Sequence, residues 1–352
     1  MARTALLTGT PGAFLEAIAT ALGAAGYSPR HVPMGTDGSL RLEVPPGGAE
    51  VVVHVGLRSA RHLSERERAE AEAAAAAGAA ELALASGARR LVHVSTVSVY
   101  GTPRNLPCRE GELKAPRTAH ERIRWHAEQA SWAAFRRGAP LTVLRPAVVY
   151  GPTLRGGPVR ALSLFALLAP RSGHVPIIRR GPVAHLVHLD DVARAAVHVA
   201  TYPDDRAVVG RAFNVGDEAP LPLSEHLETA LGALGLRPGR VLPAFPRLTA
   251  ALLWLFRHVP DRALLDPVNR RLEARWRELA GRAHTPGILA PRIDREALHW
   301  MAADHYYDTS RLTRIGWRAI HPVSTPAVVE TIRSLLAQRL LPGTGVSALP
   351  AS

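Results

Sequence analysis

Residues 89–152 contain the pattern that most constrains how this chain can fold. The stretch opens with RRLVHVSTVSVYG (Arg89–Gly101) and closes with APLTVLRPAVVYGP (Ala139–Pro152), and each is a short apolar run that stops at a Tyr-Gly pair. Between them, TAHERIRWHAEQASWAAFRRG (Thr118–Gly138) is predicted to be helical. Strand, helix and strand in this order predict one βαβ unit of a parallel sheet.

Polar residues cluster just beyond the predicted strand ends, where the chemistry of such a sheet usually lies. Thr96 follows the first strand, and His120 and Arg124 are four residues apart, on one face of the helix. These three residues are the predicted catalytic set. The alternative for His120 and Arg124 is a solvated helix face, with Glu121 near both.

The order of these motifs resembles the extended short-chain dehydrogenase/reductase superfamily, of the NAD-dependent epimerase/dehydratase type. In that family, the Ser/Thr that precedes Val-Tyr-Gly by two residues supplies a hydroxyl, and the next helix carries Tyr-x-x-x-Lys. Ala127-Glu128 match the Ala-Glu pair that follows this lysine. The resemblance therefore places Thr96 at the hydroxyl position, with His120 in place of the tyrosine and Arg124 in place of the lysine.

The same resemblance implies an α/β fold, a Rossmann-like doubly wound parallel sheet with a smaller, mainly helical C-terminal substrate lobe. We expect residues 1–151 to form the nucleotide-binding core. Residues 152–341 should combine returning sheet strands with the substrate lobe, and residues 342–352 should be a disordered tail. A second strand is expected over residues 30–34, and the short segment before the strand EVVVHVG leaves too little chain for a further helix and strand.

A glycine-rich turn after the first strand, TALLT, predicts a nucleotide-binding site, because backbone N–H groups at a helix N-terminus can approach a pyrophosphate. Leu15 replaces the third glycine of the family pattern, and Pro33-Met34-Gly35 offers no acid for a ribose. The cofactor expected from the resemblance is NAD or NADP, with complete loss of the cofactor as the alternative. The predicted cofactor-binding residues are Thr8, Gly9, Gly12, Ala13, Phe14, His54, Gly56, Pro146 and Val149.

Several of these residues also have a purely structural interpretation. His54 is equally well read as a core histidine of its strand. Tyr100, Tyr150 and His185 are predicted to line the substrate, although Tyr100 is most often structural in this frame and His185 could simply be packed. The acidic pair Asp190-Asp191 is interpreted as the start of a helix, where its charge suits the helix dipole.

Composition narrows the classes of partner. The formal net charge is +13, and Lys114 is the single lysine among the 43 basic residues. Arginine is scattered rather than grouped with aromatic residues, so we expect no nucleic-acid partner. A single cysteine, Cys108, fits a reducing cytoplasm, and no metal site is predicted.

The C-terminal part suggests the substrate. The helical block after Pro243 resembles the 3β-hydroxysteroid dehydrogenase and sterol-4-carboxylate dehydrogenase branch, which implies a hydrophobic polycyclic (sterol-, isoprenoid- or polyketide-like) substrate. LTAALLWLF (Leu248–Phe256) could make peripheral membrane contact, but we favour a cover over an apolar pocket.

The expected protein is an NAD(P)-dependent oxidoreductase or epimerase. The alternatives are a non-redox isomerase, cyclase or dehydratase with His120 as acid/base, and a non-catalytic binding protein. The resemblance also implies a homodimer.

Overall fold

The computed structural model describes residues 3–40, 44–57, 63–168, 173–178, 181–242, 259 and 261–343. The chain divides into two compact units. Unit 1 comprises Met1–Ala147, Leu189–Gly216 and Tyr307–Ile320, and unit 2 comprises Val148–His188, Asp217–Tyr306 and His321–Ser352.

Unit 1 contains a sheet of six strands that all run parallel. Its strands are β1 (Arg3–Gly9), β2 (Tyr27–Val32), β3 (Val51–Val55), β4 (Arg90–Val94), β5 (Leu141–Pro146) and β10 (Arg211–Val215). Their spatial order is β10-β5-β4-β3-β1-β2. The central strands are buried on both faces, as their continuous apolar, β-branched sequences predict.

Helices cover this sheet, which confirms the predicted Rossmann-like α/β fold. Those of unit 1 are α1 (Ala13–Ala24), α2 (Glu65–Ala85), α3 (Ala119–Phe135), α5 (Leu189–Thr201), α6 (Asp205–Val208) and α10 (Ser310–Arg314), with a 3₁₀ turn at Val97–Tyr100. Helix α2 packs on α3, and α1 packs on α5. Capping boxes at Ser64–Glu67 and Thr118–Glu121 fix the starts of α2 and α3.

Unit 2 combines three two-stranded sheets with helices. Its strands are β6 (Val148–Tyr150), β7 (His174–Ile178), β8 (Val183–Ala184), β9 (Leu186–His188), β11 (Leu221–Pro222) and β12 (Arg237–Leu242), paired β6-β9, β7-β12 and β8-β11. Its helices are α4 (Pro158–Leu168), α7 (Leu223–Ala233), α8 (Asp261–Arg282), α9 (Arg295–Trp300) and α11 (Ser324–Ala337). Trp276, Leu231 and Ile332 are fully buried at its core.

The first boundary between the two units follows Ala147, and later segments, including β10, belong to unit 1. The structure corrects two predicted element boundaries. The second strand spans Tyr27–Val32 rather than residues 30–34, and α5 begins at Leu189, before the acidic pair. Among the described residues between β2 and β3 there is no helix, as the short spacing predicted.

Two predictions lie outside the described residues: the apolar stretch 248–256, and all of the predicted tail except residues 342 and 343. Within the described residues, no helix is long and apolar enough to cross a membrane.

Candidate functional site

The glycine-rich turn has the geometry of a nucleotide-binding loop. Gly9 ends β1 with φ 126°, and a Cβ atom added there would lie 1.7 Å from the carbonyl oxygen of Val55. Gly12 precedes α1 with φ 151°, and a Cβ atom added there would meet no atom within 4 Å. The turn is therefore tight behind Gly9 and open in front of the α1 N-terminus, where Ala13 and Phe14 begin the first turn. Leu15 is buried and fills the position of the missing third glycine.

The end of β2 offers a histidine in place of the carboxylate that usually binds ribose. His31 Nε2 lies 3.2 Å from the Gly9 carbonyl oxygen. The nearest acid, Asp37, accepts hydrogen bonds from both the amide and the hydroxyl of Ser39, at 2.9 and 2.6 Å. Sequence reasoning missed His31 because it sought an acid at this position.

Thr8 and His54, two predicted cofactor-binding residues, bond to each other instead. Thr8 Oγ1 lies 3.0 Å from His54 Nδ1, and both side chains are fully buried. The His54 ring also lies 5.2 Å from the ring of His93, which is 2.8 Å from the Ser131 hydroxyl through Nδ1. Burial, the neighbouring His93 and Arg124 lower the pKa of His54 well below its ordinary value. Its complete burial fits the interpretation of His54 as a core histidine of its strand.

Arg124 lies over the end of β3. Its Nη1 donates to Glu72 Oε2 at 3.2 Å, and a Cβ atom added at Gly56 would lie 1.7 Å from that nitrogen. Glu72 also accepts from the amide of Leu57 at 3.1 Å. Gly56 directly follows Val55, the last residue of β3, whose carbonyl oxygen lies against Gly9. The structure thus places Arg124 beside the glycine-rich turn, through an acid that sequence reasoning had missed.

His120 lies one helical turn before Arg124 and is half-buried. Burial, with the charges of Arg124 and Arg68, lowers its pKa to about 3. Glu121 turns away: its carboxylate accepts from the amides of Arg117 and Thr118 at the start of α3. His120 and Arg124 are both half-buried rather than fully solvated, and burial beside cations favours the neutral imidazole.

Thr96 follows β4 at the same edge of the sheet. Its Oγ1 accepts from the amide of Ser98 at 3.2 Å and caps the 3₁₀ turn, while the side chain stays partly accessible. An acceptor of one hydrogen bond retains its own O–H for donation. Pro146 ends the neighbouring strand β5 and is buried.

Tyr100 lies in a buried hydrogen-bond network, which fits the structural interpretation better than contact with substrate. The side chain is buried, donates to Asn214 Oδ1 at 2.8 Å and accepts from Arg145 Nη1 at 2.7 Å. Burial raises the pKa of Tyr100 well above its ordinary value. The same Arg145 pairs with the buried Glu128 at 2.5 Å.

The candidates in unit 2 are also largely packed. His185 is 1% exposed, with Nε2 2.8 Å from the Asp217 carbonyl oxygen, so it fits the packing alternative rather than substrate contact. Tyr150 is 3% exposed and donates to the Ser324 carbonyl at 3.3 Å. Val149 in β6 is half-buried.

More than half of this chain matches the model of one protein family. The model of the NAD-dependent epimerase/dehydratase family matches residues 36–216, more than half of the 352 residues. This chain belongs to that family. No curated protein sequence matches it.

Solved structures of similar fold include epimerases. A UDP-galactose 4-epimerase has a TM-score of 0.63 at 17% identity, covering 95% of this chain and 99% of that one. A UDP-N-acetylglucosamine 4-epimerase from Bacillus cereus has a TM-score of 0.63 at 15% identity, covering 99% of both chains. A UDP-glucose 4-epimerase from Thermotoga maritima, solved with UDP-glucose, has a TM-score of 0.62 at 16% identity, covering 95% and 99%.

The cofactor named by the family fits this site at its pyrophosphate end. The open space in front of Gly12 and the free amides of the α1 N-terminus suit a diphosphate. At the ribose end, Asp37 is the acid among the described residues of β2 and the turn after it. Its Oδ1 already accepts two hydrogen bonds from Ser39. Residues Gly9, Gly12, Ala13 and Phe14 would therefore hold the cofactor mainly through backbone groups.

Proposed function

We propose that this chain is an NAD(P)-dependent oxidoreductase or epimerase that acts on a hydrophobic polycyclic substrate, with His120 in the position of the family's tyrosine. The observation that carries the proposal is the position of Arg124. Its guanidinium lies over Gly56, next to the glycine-rich turn, and so brings the His120 face of α3 toward the nucleotide-binding edge of the sheet.

His120 is the proton acceptor in this proposal. With a pKa of about 3 the imidazole is neutral at pH 7, so a ring nitrogen is available to accept a proton from a substrate hydroxyl. Before substrate binds, the imidazolium is almost absent, so the same residue cannot begin by donating a proton as a cation. A general base works best with a pKa near the operating pH, so this role requires the bound substrate to raise the pKa of His120 toward 7.

Thr96 and Arg124 assist at the reacting oxygen. Thr96 retains a hydroxyl proton and orients the substrate oxygen by donating it. Arg124 is a fixed cation that stabilises negative charge as the oxygen loses its proton. When bound, the nicotinamide cofactor supplies the oxidising or reducing equivalent.

The substrate class rests on the sequence of the region after Pro243. That helical block resembles the branch of the family that works on flat, apolar molecules, and α8 and α9 are its described helices. The solved epimerases of similar fold are named for UDP-sugars. A substrate screen must therefore contain UDP-galactose and UDP-glucose beside hydroxysteroids.

The first test is calorimetric titration of the protein with NADH and NADPH. We expect saturable binding of one of them, and lack of binding of both by folded protein would contradict the proposal. The second test uses His120→Ala on any substrate that the screen identifies. Loss of a general base costs about 10²- to 10⁴-fold in rate.

His126→Ala is the matched control, because His126 is an exposed histidine on the same helix. It should keep the full rate. Equal turnover of the His120→Ala and His126→Ala variants would refute the acid/base role of His120.

A further inference from the structure

A cavity of about 500 Å³ lies in unit 1 beside the edge strand β10. Residues of α3, of the loop before it, and of the starts of β10 and α10 line the cavity. None of the predicted catalytic, cofactor or substrate residues is among the lining residues. Its volume falls within the range of about 300–1,000 Å³ that small-molecule sites occupy.

One wall of the cavity is aromatic. Trp125 and Trp132 are seven residues apart on α3, two helical turns, so they project from the same face. Both are half-buried and both line the cavity. The Trp132 indole N–H donates to Glu128 Oε1 at 2.9 Å, and its ring stands edge-on to Phe135. The wall is thus a rigid, partly exposed aromatic surface of the kind that stacks on planar ligands.

The remainder of the lining carries positive charge without matching carboxylates. Lys114, Arg136 and Arg211 line the cavity, and none of them forms an ion pair with a described carboxylate. Among the lining residues the acid is Glu110, whose carboxylate accepts from the Asn214 amide at 3.2 Å and lies 3.6 Å from Arg311 Nε.

Lys114, the single lysine of the chain, is held in place by the loop. Its Nζ donates to the carbonyls of Glu110 and Glu112 at 2.7 and 2.6 Å. Burial and the charge of Arg145 lower its pKa to about 8. A bound anion would offset both effects, because it would neutralise the ammonium and replace its lost solvation.

We propose that this cavity is a binding site for a planar aromatic ring that carries a carboxylate, sulfonate or phosphate. The ring packs against the wall that Trp125 and Trp132 form, and the anion lies among Lys114, Arg136 and Arg211. The inference does not depend on the proposed activity, since the two sites share no residue.

The probe for this site is 2-naphthoate, followed by tryptophan fluorescence and by calorimetry. We expect saturable binding that is at least tenfold tighter than that of 2-naphthamide, which has the ring without the charge. Cyclohexanecarboxylate, which has the charge without the aromatic ring, should also bind at least tenfold more weakly. Equal affinity for the three compounds, or no saturable binding, would overturn the proposal.

Variants locate the site. The double substitution Arg136→Gln/Arg211→Gln changes two exposed side chains, so we expect it to fold normally and to weaken 2-naphthoate binding at least tenfold. Arg137→Gln removes a neighbouring exposed charge that does not line the cavity, and its affinity should equal that of the wild type. Trp125→Leu should weaken binding to a similar extent while keeping an apolar side chain. Unchanged affinity in the double arginine variant, or competition by NADH, would place the ligand elsewhere and refute the site.

Discussion

Gly9 and Gly12, the two glycines of the glycine-rich turn after β1, make a matched pair for substitution by alanine. A Cβ atom at Gly9 would sit 1.7 Å from the Val55 carbonyl oxygen, whereas a Cβ atom at Gly12 would meet nothing within 4 Å. Both residues have positive φ, so alanine at either costs about 1–3 kcal/mol in backbone strain. At Gly9, overpacking adds about 1–3 kcal/mol. We therefore expect Gly9→Ala to lower the free energy of unfolding by about 2–6 kcal/mol, and Gly12→Ala by about 1–3 kcal/mol.

Gly12→Ala, the less destabilising of the two variants, should still impair nucleotide binding. Gly12→Ala should remain folded but lose affinity for the cofactor, because its methyl group projects into the space that a pyrophosphate would fill. The assays are urea denaturation and calorimetric titration with NADH and NADPH. Gly23→Ala is the control, since Gly23 lies within α1, has open space around it and has no positive φ; it should stabilise the protein by about 0.5–1 kcal/mol. An equal decrease in the free energy of unfolding for Gly9→Ala and Gly12→Ala would refute the close approach of Gly9 to Val55.

Two further predictions concern stability. His54, His93 and His120 all have lowered pKa values, about 4 for His93 and about 3 for His120, so the unfolded chain binds more protons than the folded one below pH 6.5. The stability they confer is complete above that pH and is lost as the pH falls, by about 1.4 kcal/mol per histidine per pH unit; urea denaturation from pH 7 to 4 measures it, and a flat profile would contradict it. Glu128→Gln leaves the buried Arg145 without its carboxylate, so we expect a loss of about 3–5 kcal/mol in the same assay, and a loss below about 1 kcal/mol would show the pair to be dispensable.

The sequence predicted the parallel sheet because its central strands are short runs rich in Val and Leu, without a regular alternation of apolar and polar residues. It also predicted the start of α2, since Ser64 and Glu67 satisfy the capping pattern locally. Such features depend on residues a few positions apart.

The site was only partly predictable because its contacts are non-local. Glu72 lies 52 positions from Arg124, and His31 lies 22 positions from Gly9, so no spacing rule connects them. His54 and Tyr100 were expected to contact ligands. Their side chains bond to the buried residues Thr8 and Asn214, and only the packing of distant chain segments reveals these contacts.

The division of unit 1 into three separated chain segments affects how the protein emerges from the ribosome. After β5 is synthesised, its outer edge has no neighbour until β10, residues 211–215, has left the tunnel. During that interval the nascent chain carries an apolar strand with unpaired amides and carbonyls, which is a template for wrong pairing with other chains. The stacking of Tyr100 on Tyr307 forms later still, because Tyr307 is added close to the end of translation. Pairing of β10 with β5 is therefore a long-range step, and such steps are slow in folding. The speed of translation between residues 147 and 211 sets how long the outer edge of β5 stays unpaired.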